Sequence, residues 1–334
     1  MKSLKTVLSL FFLISFARAD FKILGVGDIL IHQPLRRQGL ENSDGFRSLW
    51  PELLEDLKKA HITYGNLEGP MADLLAPQSV QYSFNFPSRL AKDLIESGFD
   101  IVSTANNHSL DRGVEGLKET IRSLNNVGLS YVGTRVDLSS SEGFYKILDA
   151  AEVRTAWISC TDIVNISQSP FVADCRNDQE YLGSLIRELK LNFKVDLVVI
   201  TPHWGEEKSL EPSERQKSLA RYFFSKGADL ILGAHPHVLQ PVESLRVEDE
   251  LGEKKNRLVF YSLGNFVSNQ IYFGIPQKTS ILAYTSFKRR DRFWEVSSYN
   301  VLPVVMSSMP YQVRRASPES EEYKFVQNLN LISH

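Results

Sequence analysis

Short apolar runs alternate with longer amphipathic ones from residue 21 to residue 232, the pattern of strands and helices stacked in an α/β fold. Strands are predicted over 21–27, 61–64, 99–103, 130–132, 153–159, 196–201 and 229–232. Helices are predicted over 51–60, with Pro51 in the first turn, over 87–97 closed by Gly98, over 114–125 closed around Gly128, and over 180–191 and 214–225. Residues 161–177 mix polar and turn residues without a period and read as a surface excursion. Beyond residue 238 the rhythm changes. Apolar runs at 238–246, 257–261, 280–288 and 293–302 are joined by charged turns, which predicts antiparallel strands, and 319–329 reads as a closing helix.

The first 19 residues stand apart from this pattern. Lys2 and Lys5 precede an apolar run over 7–16, and Ala17-Arg18-Ala19 offers the small-x-small pattern that signal peptidase reads. We therefore expect a signal peptide over 1–19, cleaved before Asp20, and a protein exported to the periplasm or the cell exterior. The alternative, an uncleaved anchor, asks a run well short of the roughly 20 residues of a spanning helix to cross the bilayer. No other stretch reaches that length, so no transmembrane segment is expected in the mature chain.

Charge removes two classes of partner. With 38 Lys and Arg against 40 Asp and Glu, and no basic block, the chain has no electrostatic footprint for nucleic acid or anionic lipid. Its two cysteines, Cys160 and Cys175, lack the spacing of a zinc knot; they are either a disulfide, which an exported location permits, or two buried thiols.

The candidate chemistry follows from where the polar residues fall. Asp28, Asn66 with Glu68, Asn106 to His108, His203, and His235 with His237 each sit just after a predicted strand, the edge at which open α/β sheets bind ligands. Five strand ends thus converge on one candidate site. Imidazole, carboxylate and amide oxygen together suit zinc, manganese, iron or nickel better than calcium, which takes oxygen alone. His235-Pro236-His237 is the sharpest local signal, because two imidazoles two residues apart on an extended segment can face one side. Any one of these residues alone is more readily a hydrogen-bonded cap or a core histidine than a ligand; the ensemble is harder to explain that way.

Six ordered blocks carry a resemblance: Gly27-Asp28-Ile29-Leu30; Asn66-Leu67-Glu68; Ala105-Asn106-Asn107-His108 with Asp111 and Gly113; His203-Trp204-Gly205 with Glu207; Gly233-Ala234-His235-Pro236-His237; and Tyr261-Ser262-Leu263-Gly264-Asn265-Phe266. Over residues 21–266 the chain resembles the CapA-like proteins of poly-gamma-glutamate capsule biosynthesis, whose domain looks like the calcineurin-type metallophosphoesterase fold. The resemblance implies one domain over 20–334, with its core over 21–302, built as a layered α/β/β/α sandwich with mixed sheets. It implies Asp28 and His237 as ligands of a first ion, Glu68 as the bridging carboxylate, and Asn107, His203 and His235 as ligands of a second. His108 resembles the histidine that protonates or stabilises a leaving group. Two positions depart from the superfamily pattern. Leu30 stands where a histidine is usual, leaving His32 as the nearest substitute ligand, and Glu68 replaces an aspartate, so that one or two divalent ions (manganese, zinc or iron) are expected.

Asn66, Glu207 and Asn265 are expected to orient ligands, Trp204 to wall the pocket or fill the core, and Gly264 to permit a tight turn. The implied activity is metal-dependent hydrolysis of a phosphoester or gamma-glutamyl amide in an anionic cell-surface polymer or its precursor. The competing reading is a non-catalytic accessory of a polymer synthase or export machinery, with synthase subunits as partners. A purely structural domain would leave the clustered polar residues unexplained.

Overall fold

A strand buried on both faces reads as a near-continuous apolar run, and β1 (Phe21–Ile29), with only Lys22 exposed, is of that kind. The computed structural model describes residues 20–73, 75 and 83–332; the expected signal peptide, residues 1–19, lies outside the described residues. After β1 come α1 (Gln33–Glu41), α2 (Leu54–Leu57), β2 (Ile62–Leu67), α3 (Arg89–Ser97), β3 (Ile101–Ser103), α4 (Gly113–Val127) and β4 (Ser130–Val132). The middle of the chain forms β5 (Tyr145–Ala150), β6 (Val153–Thr161), α5 (Gln179–Leu191), β7 (Leu197–His203), α6 (Glu214–Lys226) and β8 (Leu230–Leu232). The last third forms β9 (Val242–Glu248), β10 (Lys254–Phe260), β11 (Asn265–Val267), α7 (Ile275–Lys278), β12 (Thr279–Arg290), β13 (Phe293–Ser307), β14 (Gln312–Arg315) and α8 (Glu321–Asn328).

The strands make two mixed sheets. One has the order β14-β13-β12-β1-β2-β3-β4, with β11 also pairing β1; the other runs β5-β6-β7-β8-β10-β9. Three apolar clusters define the layers. Ile23, Tyr64, Ile101, Trp157, Val199 and Phe260 meet between the sheets. Leu24, Val26 and Val102 pack outward on Leu35, Leu90, Leu94 and Leu124 of α1, α3 and α4. On the far side, Ile158, Val198 and Ile231 pack on Leu182, Ile186, Leu219 and Phe223 of α5 and α6. The result is the expected α/β/β/α sandwich with mixed sheets.

Helix signals act as their chemistry requires. In α6, Ser213 and Gln216 form a reciprocal capping box, and α3 and α4 end on Gly98 and Gly128 in the left-handed region. The predicted helix over 51–60 is shorter than expected: Pro51–Leu53 is a 3-10 turn and α2 stops at Leu57. The Thr63 hydroxyl donates to the Leu57 carbonyl at 2.7 Å, turning the chain into β2. The all-antiparallel expectation beyond residue 238 also needs correction. β9–β10 and β12–β13–β14 are antiparallel, but β10 lies parallel to β8 and β11 parallel to β1, so the chain visits both sheets.

Candidate metal centre

Asp28, next to last in β1, has Asn66 of β2 and Asn265 of β11 as its register neighbours. This close pairing depends on the absence of a side chain at Gly27, where a Cβ would stand 1.9 Å from the Gly264 carbonyl oxygen. Asp28 N–H instead donates to that carbonyl at 2.9 Å. Asn66 Nδ2 donates to Asp28 Oδ1 at 2.8 Å and lies 3.3 Å from His203 Nδ1. His237 Nδ1 lies 3.1 Å from Asp28 Oδ2 and 3.0 Å from Asn265 Oδ1, while its Nε2 faces Glu68 Oε1 at 3.6 Å. Glu68, directly after β2, is completely buried.

The second sheet supplies the other half. His203 ends β7, and its Nε2 lies 2.9 Å from Asn107 Oδ1, 3.1 Å from His235 Nδ1 and 3.6 Å from Glu68 Oε1. His235-Pro236-His237 is not the extended segment expected. Both histidines have positive φ, 95° and 58°, which turns one ring toward His203 and the other toward Asp28. Two buried non-glycine residues held in this region cost about 1–3 kcal/mol each, a strain characteristic of functional sites.

Ligand atoms within 4.8 Å of one another form three groups among the described residues: Asp28, Glu68 and His237; Glu68, His203 and His235; and Glu207, His235 and His237. Asn107 joins through its bond to His203. His32 enters none of these groups. Its Nδ1 accepts the Asn269 N–H at 3.2 Å and its ring stands edge-on to Phe84. Leu30 packs in the outer apolar cluster, so the backbone aims position 30 away from the site. Trp204 is fully buried and donates to the Tyr261 carbonyl at 2.9 Å, a core residue.

Two partners had no role in the sequence reading. Asp111 Oδ2 lies 2.8 Å from His108 Nδ1 and also accepts the Phe84 N–H. The signal was the i,i+3 spacing of His108 and Asp111 within one block. Asn165 accepts from Asn107 Nδ2 at 3.2 Å, so the 161–177 excursion reaches the site and lines a cleft beside it with Ile163, Val164 and Ile166. Cys160 and Cys175 are joined in a disulfide at the base of this loop, which resolves the two readings of the cysteines.

Electrostatics sort the imidazoles. Burial, with His235 beside it, holds His203 well below the ordinary histidine range, and burial with the nearby His237 lowers His235 to about 3. Both are neutral near pH 7, the state in which a histidine ligates. His32 is lowered to about 4, chiefly by burial. Burial also opposes charge on His237, but Glu68 and Asp28 outweigh it and raise the ring to about 9. Burial pushes Glu68 well above the carboxylate range against the pull of His237. Both Glu68 carboxylate oxygens and Asn66 Oδ1 are buried without a hydrogen-bond partner. A carboxylate in that setting costs several kcal/mol unless a cation or a proton meets it, so this donor set fits a divalent ion.

Comparison with known proteins agrees with the architecture. The family model described as bacterial capsule synthesis protein PGA_cap matches residues 22–270. The PGA biosynthesis protein CapA of Bacillus subtilis is 30% identical over 255 residues, 73% of this chain and 62% of that protein. The capsule biosynthesis protein CapA of Bacillus anthracis is 29% identical over 317 residues, 90% of this chain and 71% of that protein. The chain therefore spans about two thirds of the length of these relatives. Among solved structures, the calcineurin-like phosphoesterase YfkN of Bacillus subtilis superposes with a TM-score of 0.52 at 16% identity, covering 93% of this chain and 97% of that one. At that identity the likeness is one of fold.

Proposed function

The chain belongs to the bacterial capsule synthesis family PGA_cap, and from that premise we propose that it is an exported, metal-dependent hydrolase acting on an anionic cell-surface polymer or its precursor, at a phosphoester or a gamma-glutamyl amide. The observation that carries this reading is the buried Glu68 carboxylate, which has no hydrogen-bond partner and lies 3.6 Å from both His203 Nε2 and His237 Nε2.

Asp28, Glu68 and His237 would hold one divalent transition-metal ion, and Glu68, His203, His235 and Asn107 a second. Such ions supply Lewis acidity, making a water acidic near neutral pH and polarising a phosphoryl or carbonyl oxygen. The chain's own residues do the rest. Asn66 and Asn265 fix the Asp28 carboxylate and the His237 ring from both sides. His108, its Nδ1 engaged by Asp111, presents Nε2 as the proton donor to a leaving group. Ile163, Val164 and Asn165 on the excursion form a wall against which a polymer backbone can lie.

The signal-like residues 1–19 support export, and the Cys160–Cys175 disulfide supports an oxidising compartment. The test pairs metal analysis of the purified protein with turnover of a phosphodiester and of a gamma-glutamyl peptide by wild type, His108→Ala and His235→Ala. Bound metal with turnover lost in both variants is the expected result. Bound metal without turnover of either substrate would favour the accessory role beside a polymer synthase, and absence of bound metal would overturn both the ligand assignments and the activity.

A further inference from the structure

Glu207 is exposed, yet its carboxylate lies within 4.8 Å of ring nitrogens of both His235 and His237. Its position is built rather than incidental. The turn that carries it is sewn to the His-Pro-His segment on either side: Trp204 N–H donates to the Ala234 carbonyl at 3.1 Å, and Lys208 N–H to the Pro236 carbonyl at 2.7 Å. Gly205 begins the turn at φ 88°, where a side chain would be strained and a Cβ would press on the Gln216 amide at 2.7 Å. Gln240, bonded to Gln216, donates to the Ser209 and Glu211 carbonyls and holds the turn's far end.

A third carboxylate aimed at a pair of imidazoles that already face Asp28 and Glu68 adds like charge to like charge. A cation held among them would offset that repulsion. We infer that Glu207 is a direct ligand, closing the solvent side of the centre where His235 of one ion site and His237 of the other approach each other, rather than a group that merely orients other ligands. This inference rests on the metal-centre reading above. With Asp28, Glu68 and Glu207 the centre offers three carboxylates beside three imidazoles and one amide, a donor set that suits six-coordinate manganese or iron(II) better than four-coordinate zinc.

The test uses the full chain as metal-free protein, with Glu207→Gln and, as control, the neighbouring Glu206→Gln. Manganese titration by calorimetry and the visible absorption of the cobalt-loaded protein are the readouts. Expected is an affinity loss of at least about tenfold in Glu207→Gln and a changed cobalt spectrum, with Glu206→Gln matching wild type and all melting curves of the metal-free proteins coinciding. A weakened affinity with an unchanged cobalt spectrum would reduce Glu207 to a distant charge and overturn the inference, as would wild-type affinity in Glu207→Gln. Failure of the wild type itself to bind manganese or cobalt would instead bring down the metal-centre reading, and this inference with it.

Discussion

Asp111 Oδ2 lies 2.8 Å from His108 Nδ1, and the same oxygen accepts the Phe84 backbone N–H. The imidazole is thereby fixed in rotation, with Phe84 packed 4.5 Å from it between ring centroids. If His108 is the acid, removing it should cost proton transfer and little else. His108→Ala is expected to lower kcat by about 10²–10⁴ while metal content stays at the wild-type level. Asp111→Asn should give a smaller loss in kcat with KM little changed, because the ring is freed rather than deleted. Steady-state kinetics alongside elemental analysis check this. Loss of metal in His108→Ala would make it a ligand and not an acid.

Burial opposes charge on His237, but the Glu68 and Asp28 carboxylates outweigh it and hold the ring's proton up to about 9. A group whose folded pKa exceeds its unfolded value stabilises the fold below the unfolded pKa, and that contribution fades as pH rises through the folded one. The metal-free protein should accordingly lose stability between about pH 6.5 and 9. His203 and His235, held low, act in the opposite direction but only below pH 6.5. Metal must displace the same proton, so its affinity should rise over this window with proton release on binding. Urea midpoints with chelator at pH 6.5, 7.5 and 9, and calorimetry in buffers of different ionisation enthalpy, provide the check. A metal-free midpoint that climbs toward pH 9 would contradict it.

The disulfide between Cys160 and Cys175 closes a loop with a sequence separation of 15. Such a loop is worth about 3 kcal/mol in the chain-entropy account. Because Asn165 within it bonds Asn107, loosening the loop should reach the site. Cys160→Ser/Cys175→Ser is expected to lower the unfolding free energy by up to that amount and to raise KM more than it lowers kcat, with metal retained. Unchanged kinetics in the double variant would separate the loop from substrate binding.

Much of this architecture was legible because burial on both faces writes itself into the sequence as apolar runs, and the chemistry sits where those runs end. Asp28, Glu68, His203 and the two histidines around Pro236 could be placed at strand ends without coordinates. What was missed had weak local signals. In α1 only Leu35 and Gly39 are buried, so no apolar stripe announces a helix. β11 is three residues long and depends on its pairing with β1. β13 runs to Ser307, past the predicted end at residue 302 and through Pro303; β14 pairing begins only at Val304, so the missing N–H falls at the margin of that partner strand. The left-handed conformations of His235 and His237 and the approach of Asn165 are tertiary facts, and no period of residues encodes them.

Gly27 links the fold to the site most directly. A Cβ there would meet the Gly264 carbonyl oxygen at 1.9 Å and its carbon at 2.7 Å, and both are backbone that cannot swing aside. Gly27→Ala should therefore force β11 away from β1, costing about 1–3 kcal/mol as overpacking does. With β11 goes Asn265, whose Oδ1 lies 3.0 Å from His237 Nδ1. Metal affinity is expected to fall at least about tenfold. Gly25→Ala in the same strand is the control, since its Cβ would meet only side-chain carbons of Leu232 and Leu263 at 3.0–3.3 Å. It should be destabilised less and bind metal as wild type does. Urea unfolding of the metal-free proteins and manganese titration separate the two effects: equal losses of stability and of affinity in both variants would mean that β1 tolerates no added volume anywhere, and that the β1–β11 contact has no special hold on the site.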